Sequence, residues 1–366
     1  AVTDEAFVTL ATDDTYSLGA LVLAHSLKRV HTSRQLVILI TSAVTTHMRQ
    51  GPFCCSCRTL LSQVFDLVEE VNLLDSRDPS KLALLNRPEL GVTFTKLHCW
   101  RLVQFKKCIF MDSDTMVLQN CDELFARDEL SAVPDVGWPD CFNSGVFVFV
   151  PSEATFNALI AFASERGSFD GGDQGLLNLY FSDWSTKDIN RHLSFIYNMN
   201  ANVSYTYLPA YRQFGKDVKV VHFLGSVKPW HHSFSLLTGQ VECRGETQHM
   251  HGHLQFWWEL FMTNVQPKLF PECAGLAGEM SKLTIKTAEE LRQNPTEQAM
   301  YGGSEARQFA WERGQIDYLG ADAFENIQKK LDTAITPPAE PPMVQAHPEQ
   351  ASKPKSAQAK KHKVEK

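Results

Sequence analysis

The amino-acid sequence predicts an α/β fold built on a mostly parallel central sheet. Strand-like runs alternate with helical patterns along the first part of the 366-residue chain, which is typical of doubly wound sheets. Leu36–Ile40 is a continuous aliphatic run, as expected of a strand buried on both faces. With 43% hydrophobic and 21% charged residues, the composition supports a substantial folded core.

The individual elements follow from the spacing of apolar residues. Short apolar or β-branched runs predict six strands: Ala6–Leu10, Leu36–Ile40, Val68–Leu73, Cys108–Met111, Gly145–Val150 and Val218–Phe223. Helical spacing predicts four helices: Tyr16–Arg29, Leu60–Phe65, Thr93–Phe105 and Trp311–Leu331. Strands and helices therefore alternate up to the strand that ends at Asp112.

Composition divides the chain into four parts. We expect one folded domain over residues 1–267, a flexible linker over 268–310, an amphipathic helical segment over 311–333 and a disordered tail over 334–366. The whole chain has a net charge of −7, and the lysine-rich stretch Pro337–Lys366 has a net charge of +3. The rest of the chain is therefore acidic, with a net charge of −10. An acidic body argues against nucleic-acid binding, which needs a basic face.

Cellular location is predicted from three features of the sequence. The chain has no apolar run long enough to span a membrane, and its start lacks the features of a signal peptide. Its nine cysteines are scattered, and several lie in apolar runs, as in proteins of a reducing compartment. We expect a cytoplasmic protein that does not contact membranes.

Asp112-Ser113-Asp114 is the first candidate for a chemical site. Both acids directly follow an apolar strand, and open α/β sheets bind ligands at the carboxyl ends of their strands. Paired carboxylates suit Mg²⁺ or Mn²⁺. An Asp-x-Asp pair also occurs at helix caps and in turns, so the motif alone leaves both interpretations open.

Two further clusters carry residues suited to sugar binding. Asn143 and Ser144 precede Gly145 in an apparent turn that leads into a strand, and they offer an amide and a hydroxyl. Asp170 and Asp173 flank two glycines, and Gln174 follows. Asp173 fits a helix N-cap as well as a carboxylate beside an anomeric carbon, and the two roles are compatible.

The last cluster supplies an imidazole and cations. His222 lies at the end of a predicted strand and suits a metal that already has carboxylate ligands, although a lone histidine at a strand end more often has a structural role. Gly225 permits close approach, and Lys228 can reach a phosphate as a point charge. Lys96 and Arg87 are solvated charges when taken singly and charge-neutralising partners beside a diphosphate.

These motifs resemble the glycogenins, which are self-glucosylating, retaining members of glycosyltransferase family 8 that prime glycogen synthesis. The similar segments run in family order from Val2 to about Pro267: Arg87–Trp100, Phe110–Leu118, Pro134–Val148, Gly167–Asn178 and Val220–Trp230. The resemblance implies a single Rossmann-like GT-A domain, UDP-glucose as donor, Mn²⁺ as cofactor and a homodimer. Trp311–Leu331 resembles the segment by which the family binds glycogen synthase.

Site residues carry over from the family by motif. Asp112, Asp114 and His222 align with the metal ligands, and Asp173 and Lys96 with catalytic groups. Donor contacts are implied at Leu10, Thr12, Asp13, Tyr16, Arg87, Lys96, Ser113, Gly225 and Lys228. Glucose contacts are implied at Asn143, Ser144, Asp170, Asp173 and Gln174.

The implied acceptor is Tyr205, which the Tyr-x-Tyr-Leu-Pro match favours. Physical reasoning from the sequence does not separate it from Tyr197 and Tyr207. Retention of configuration follows either a front-face route or a covalent intermediate on Asp173, and both stay open.

Two departures from the family pattern stand out. Asp13 replaces a common Asn and places an acid near the base and ribose. The insert Gly51–Thr59 carries Cys54, Cys55 and Cys57, which lack further ligands at zinc spacing, so we interpret it as a longer loop. These departures motivate a non-catalytic scaffold for glycogen synthase as one alternative. Transfer to a separate small acceptor is another alternative.

Overall fold

In the computed structural model, the described residues are 2–49, 60–76, 78–85, 88–201, 207–236, 238–243 and 250–281. They belong to one compact unit within residues 1–309. Arg87, Tyr205, the insert Gly51–Thr59 and the segment Trp311–Leu331 lie outside the described residues. What the sequence predicts for them stays a prediction.

The strands form three sheets. Their bounds are β1 Val2–Ala11, β2 Arg34–Ile40, β3 Leu67–Glu70, β4 Lys107–Met111, β5 Thr115–Val117, β6 Ser131–Pro134, β7 Phe142–Phe149, β8 Met199–Asn200, β9 Val220–His222, β10 Ser233–Ser235 and β11 Gln240–Glu242. The central sheet has the order β3-β2-β1-β4-β7-β6. Strands β3, β2, β1 and β4 pair in parallel, whereas β7 runs antiparallel to β4 and β6. The predicted α/β fold with a mostly parallel sheet is confirmed.

Helices connect these strands. The α-helices are α1 Asp14–Arg29, α2 Thr46–Arg49, α3 Leu60–Val64, α4 Pro79–Leu85, α5 Glu153–Arg166, α6 Asp173–Tyr180, α7 Leu208–Phe214, α8 His251–Asn264 and α9 Gly275–Ser281. The predicted helix Thr93–Phe105 is wrong in type and bounds, because the chain forms a 3₁₀ helix over Pro88–Arg101. Apolar spacing alone does not separate an α-helix from a tight 3₁₀ turn that packs on a sheet.

Helix α1 packs on one face of the central sheet. Asp13 caps it, since the carboxylate accepts a hydrogen bond from the Tyr16 backbone N–H at 2.9 Å. Asp14 in the first turn and Lys28 and Arg29 in the last turn have the charges that the helix dipole favours. These signals fix both ends of the helix that follows β1.

The core has two halves, one on each face of the central sheet. In β2, Leu36, Ile38 and Ile40 join the half that contains α1. The alternate residues Val37 and Leu39 join the half that contains the 3₁₀ helix. This alternation explains the unbroken aliphatic run in the sequence, because both faces of the strand are buried.

A small sheet of order β5-β9-β8 adjoins the end of β4. Its register places Thr115 opposite His222. The pairing brings a strand from late in the chain next to the Asp-x-Asp motif.

The folded unit continues past residue 267, where the sequence predicts a linker. Leu269, Cys273 and Ala277 are buried, and the backbone N–H of Ala274 donates to Asp14 at 2.7 Å. Apolar residues therefore attach helix α9 to the body. Across the described ranges, no helix has the length and apolar character that a bilayer crossing requires.

Candidate functional site

A cleft with a volume of about 430 Å³ opens at the carboxyl ends of β1 and β4. Most of the residues that the sequence selected line it: Leu10, Thr12, Tyr16, Lys96, Asp112, Ser113, Asp114, Asn143, Ser144, Asp170, Asp173, Gln174, His222 and Lys228. The fold thus brings together side chains that are up to 218 positions apart in the sequence, from Leu10 to Lys228.

The Asp-x-Asp motif forms a tight turn at the end of β4. The backbone N–H of Asp112 donates to the carbonyl of Gly145 at 2.8 Å, which ties the motif to β7. The Asp112 carbonyl in turn accepts from the Thr115 N–H at 2.9 Å and from its hydroxyl at 2.7 Å. The side chain of Asp112 is 30% exposed and that of Asp114 is 9% exposed. These hydrogen bonds hold the backbone of the motif in place, and the Asp112 side chain is more accessible than that of Asp114.

His222 reaches these carboxylates through the β5–β9 pairing. Its Nε2 lies 3.2 Å from Asp114 Oδ1 and 3.9 Å from Asp112 Oδ2. On the other side of the ring, Nδ1 lies 2.9 Å from Asn198 Oδ1, which accepts its proton. Asn198 Nδ2 donates to Asn143 Oδ1 at 2.8 Å. This chain of hydrogen bonds orients the imidazole so that Nε2 faces the acids.

Two buried lysines balance the acids. Lys96 Nζ lies 2.9 Å from Asp112 Oδ1 and 2.6 Å from Asp173 Oδ2, and it donates to the Ser144 carbonyl at 3.1 Å. Lys228 Nζ pairs with Asp114 Oδ2. The ammonium of Lys96 thus connects the Asp-x-Asp motif to the start of α6.

The burial of these pairs perturbs their acidities. Burial alone would lower the pKa of Lys96, but Asp112 and Asp173 outweigh it and raise that pKa. Burial would raise the pKa of Asp114, yet Lys228 and His222 outweigh it and hold the pKa well below its usual range. Burial raises the pKa of Asp112, and Lys96 opposes that shift. The site therefore keeps Lys96 protonated and Asp114 ionised.

Asp112, Asp114 and His222 fit a divalent metal ion. One potential ligand atom from each residue lies within 4.8 Å of the others. Two carboxylates and a neutral imidazole suit Mn²⁺ and similar ions. The hydrogen bond from His222 Nδ1 to Asn198 is the support that metal-binding histidines usually have on their second nitrogen.

The sugar-binding candidates form one wall of the cleft. Gln174 Nε2 and Asn143 Nδ2 both donate to Asp135 Oδ2, at 3.2 and 3.0 Å. Asp170 Oδ1 accepts from the Ser168 hydroxyl and from two glycine N–H groups, so its carboxylate holds the loop before α6. This wall is a network of amides and carboxylates.

Several local assignments made from the sequence are wrong. Asn143, Ser144 and Gly145 lie inside β7 instead of a turn, because pairing with β4 and β6 overrides their turn preference. Asp173 is the first residue of α6, and Gly172 is its N-cap. The Asp173 carboxylate is free of capping and pairs with Lys96.

Two predicted donor contacts are placed differently from the others. The Asp13 carboxylate caps α1, and Asp13 is not among the described residues that line the cleft. Gly225 likewise is not among them, although its φ of 109° is a conformation that favours glycine.

The sequence reasoning missed Asp135, Asn198 and Thr93. Asp135 and Thr93 line the cleft, and the Thr93 hydroxyl accepts from the Asp173 N–H at 3.1 Å. Asn198 is 4% exposed and holds His222. None belongs to a chemical motif in the sequence. Asp135 and Thr93 lie within segments that resemble the family, Pro134–Val148 and Arg87–Trp100, and this resemblance is the available signal for them.

Comparison with known proteins gives a consistent result. The family model described as Glycosyl transferase family 8 matches residues 7–233. Glycogenin-1 of Oryctolagus cuniculus is 50% identical over 348 residues, which cover 91% of this chain and 100% of that protein. Glycogenin-2 of Homo sapiens is 55% identical over 269 residues, which cover 73% of this chain and 52% of that protein. A solved apo-form glycosyltransferase of Streptococcus pneumoniae is 20% identical, with a TM-score of 0.46 over 70% of this chain and 60% of that one.

Proposed function

Since this chain belongs to glycosyl transferase family 8 and, within it, to the glycogenins, we propose that it transfers glucose from UDP-glucose to its own Tyr205. It is a self-glucosylating glycosyltransferase that primes glycogen synthesis. The observation that carries the residue assignments is the convergence of Asp112, Asp114 and His222 with two buried lysines in one cleft.

We assign UDP-glucose to this cleft. Leu10, Thr12 and Tyr16 line it and would supply apolar and hydroxyl contacts for uracil and ribose. We assign the diphosphate to the middle, beside Lys228, and the glucose to the amide wall that contains Asn143. This direction puts the anionic part of the donor beside the cations and the neutral sugar beside hydrogen-bonding groups.

Asp112, Asp114 and His222 would hold Mn²⁺. A bound Mn²⁺ supplies charge neutralisation for the diphosphate as the leaving group departs. Lys228 adds a second positive charge from the chain itself, at 4% exposure and therefore with little screening by water.

In the transfer step, a bond forms between the Tyr205 phenol oxygen and C1 of glucose. The bond from C1 to the β-phosphate oxygen breaks, its electron pair leaves with UDP, and the phenol proton is released. Lys96 holds the Asp173 carboxylate at 2.6 Å, in position to stabilise positive charge at C1. Further transfers to the 4-hydroxyl extend an α-1,4-glucan. A front-face route and a covalent intermediate on Asp173 both retain configuration.

The contacts of Tyr197 argue against that residue as the acceptor. The Tyr197 hydroxyl donates to Glu123 at 2.7 Å, and burial together with Glu123 raises the pKa of Tyr197 to about 12. That hydroxyl is therefore engaged and a poor nucleophile. Tyr207 is 64% exposed and is the serious competitor.

Intact mass spectrometry with UDP-glucose and Mn²⁺ tests the proposal. We expect a ladder spaced by hexose units for the wild type, Tyr197→Phe and Tyr207→Phe, and no ladder for Tyr205→Phe. A wild type without mass gain would refute self-glucosylation. If Tyr205→Phe matches the wild type, the acceptor assignment is wrong. Free glycosylated product without protein labelling would instead identify a transferase with a separate acceptor.

We further propose that Trp311–Leu331 binds glycogen synthase, that the chain forms a homodimer and that it works in the cytoplasm. The family resemblance supports the first two, and the cysteines within apolar runs support the third. Co-purification of glycogen synthase with the wild type but not with a Trp311→Ala variant tests the first, light scattering the second, and localisation of a tagged chain the third.

A further inference from the structure

A second, smaller pocket of about 340 Å³ adjoins the cleft and is lined by Asp135, Trp138, Cys141, Phe169 and Gln174. Asp135 and Gln174 belong to both pockets, and their hydrogen bond at 3.2 Å forms part of the wall between them. The small pocket is therefore continuous with the amide wall that we assign to the donor glucose.

Two large aromatic side chains are exposed at this pocket. Trp138 is 66% exposed and Phe169 is 49% exposed. Neither belongs to the two halves of the described core, so the packing of the fold does not require them. Single exposed apolar residues are ordinary, but apolar side chains that are exposed together mark binding surfaces, and both rings line this one pocket.

Hydrogen bonds fix the loops that present both rings. Asp135 N donates to the Cys141 carbonyl at 2.8 Å, and Cys141 N donates to the Trp138 carbonyl at 2.9 Å, which closes the β6–β7 connection. Phe169 stands between Ser168, which is 3% exposed, and Asp170, which accepts three hydrogen bonds. Anchored backbones reduce the entropy that the rings would lose on binding a ligand.

The lining selects a neutral, polyhydroxylated ligand. The described residues around the pocket include one carboxylate and no cation, which disfavours phosphates and other anions. Sugar rings combine an apolar face of C–H groups, which packs on aromatic rings, with hydroxyls that bond to amides and carboxylates. Amphipathic surfaces of this kind are what tryptophan binds well.

We propose that Trp138 and Phe169 form a subsite that binds glucose units of the growing α-linked glucan. This inference rests on the proposed function, since the glucan is the product of that reaction. The subsite lies across the Asp135–Gln174 wall from the donor glucose, so it would hold the acceptor chain while its end enters the cleft. Trp138 and Phe169 are thus positioning residues for elongation.

Direct binding of maltotetraose tests the subsite independently of catalysis. Calorimetry should show that Trp138→Ala weakens binding about tenfold, the scale of one lost aromatic anchor. Trp138→Phe should restore most of the affinity, and Phe169→Ala should weaken it as well. Phe214→Ala is the matched control, since Phe214 is 59% exposed and does not line either pocket.

Kinetics supply a second readout. Trp138→Ala should raise KM for maltotetraose as an acceptor while KM for UDP-glucose stays within about twofold. Equal affinity of the wild type and Trp138→Ala for maltotetraose would overturn the subsite, as would undetectable wild-type binding or an equal loss in Phe214→Ala. If the wild type binds maltotetraose but gains no mass from UDP-glucose, the proposed function fails and the subsite stands.

Discussion

Asn198 offers the sharpest test of the metal site, because it touches His222 and not the metal. Its Oδ1 accepts from His222 Nδ1 at 2.9 Å, its Nδ2 donates to Asn143 at 2.8 Å, and it is 4% exposed. Asn198→Ala removes both bonds and leaves a buried imidazole N–H without its acceptor. The ring then loses both its fixed orientation and part of the basicity of Nε2.

The expected loss follows from these contacts. Removing the partner of a metal-binding histidine weakens metal affinity about 10- to 100-fold, which corresponds to about 1.4–2.7 kcal/mol. Asn198→Asp keeps an acceptor for Nδ1 and should bind Mn²⁺ at least as tightly as Asn198→Ala. Electron paramagnetic resonance of free Mn²⁺ during titration measures the affinity without any need for activity.

Asn120 is the matched control for this measurement. Its side chain also makes two hydrogen bonds, to the Val30 carbonyl at 3.1 Å and from the Asp122 N–H at 2.9 Å, and Asn120 is not among the described residues that line the cleft. Asn120→Ala should lower stability and leave Mn²⁺ affinity unchanged. The reasoning is refuted if Asn198→Ala binds Mn²⁺ like the wild type, or if Asn120→Ala loses as much affinity.

Three further predictions concern packing and protonation. Gly145→Ala should reduce Mn²⁺ affinity at least about tenfold in the same titration, because a Cβ at this position would lie 2.2 Å from His222 Cε1. Gly252→Ala is the control and should leave the affinity unchanged, since a Cβ there meets open space. Asp14→Ala should lower the free energy of unfolding in urea by about 3 kcal/mol, since the buried Asp14 carboxylate accepts three hydrogen bonds of 2.7 Å from Thr45 and Ala274. A loss below about 1 kcal/mol would contradict this reasoning. Burial, and to a smaller extent nearby lysines, lowers the pKa of His25 from 6.5 to about 4. As the pH falls, the unfolded chain therefore binds a proton at His25 before the folded chain does, and stability is lost between pH 6.5 and about 4. His25→Phe should flatten that part of the Tm–pH curve, and an unchanged slope would show that other groups cause it.

Local signals explain what the sequence predicted well. The strand before Asp112 and the helix Tyr16–Arg29 each have a continuous apolar pattern, and the structure has β4 and α1 at these places. The position of Asp112 and Asp114 then follows from chain order, because the residues after a parallel strand lie at the carboxyl edge of the sheet.

Tertiary pairing explains what the sequence could not predict. Asn198 acquires its role because β8 pairs with β9, which sets its side chain against His222. Asp135 acquires its role because β6 and β7 pair antiparallel, which brings its carboxylate to Asn143. Neither pairing has a signature in the local sequence, so Asn198 and Asp135, which belong to no motif, could not be predicted. The misplaced turn at Asn143 has the same origin, since a paired strand overrode local preference.

The charge balance of the cleft connects these residues to the order of binding. Three carboxylates, on Asp112, Asp114 and Asp173, face two ammonium groups, on Lys96 and Lys228, while His222 is neutral when it binds a metal. Without a metal, the formal charge of this cluster is negative, and it would repel a diphosphate. A divalent ion on Asp112, Asp114 and His222 would make the cluster positive, with Lys228 still beside the place assigned to the diphosphate. We therefore expect the metal to bind before the nucleotide sugar.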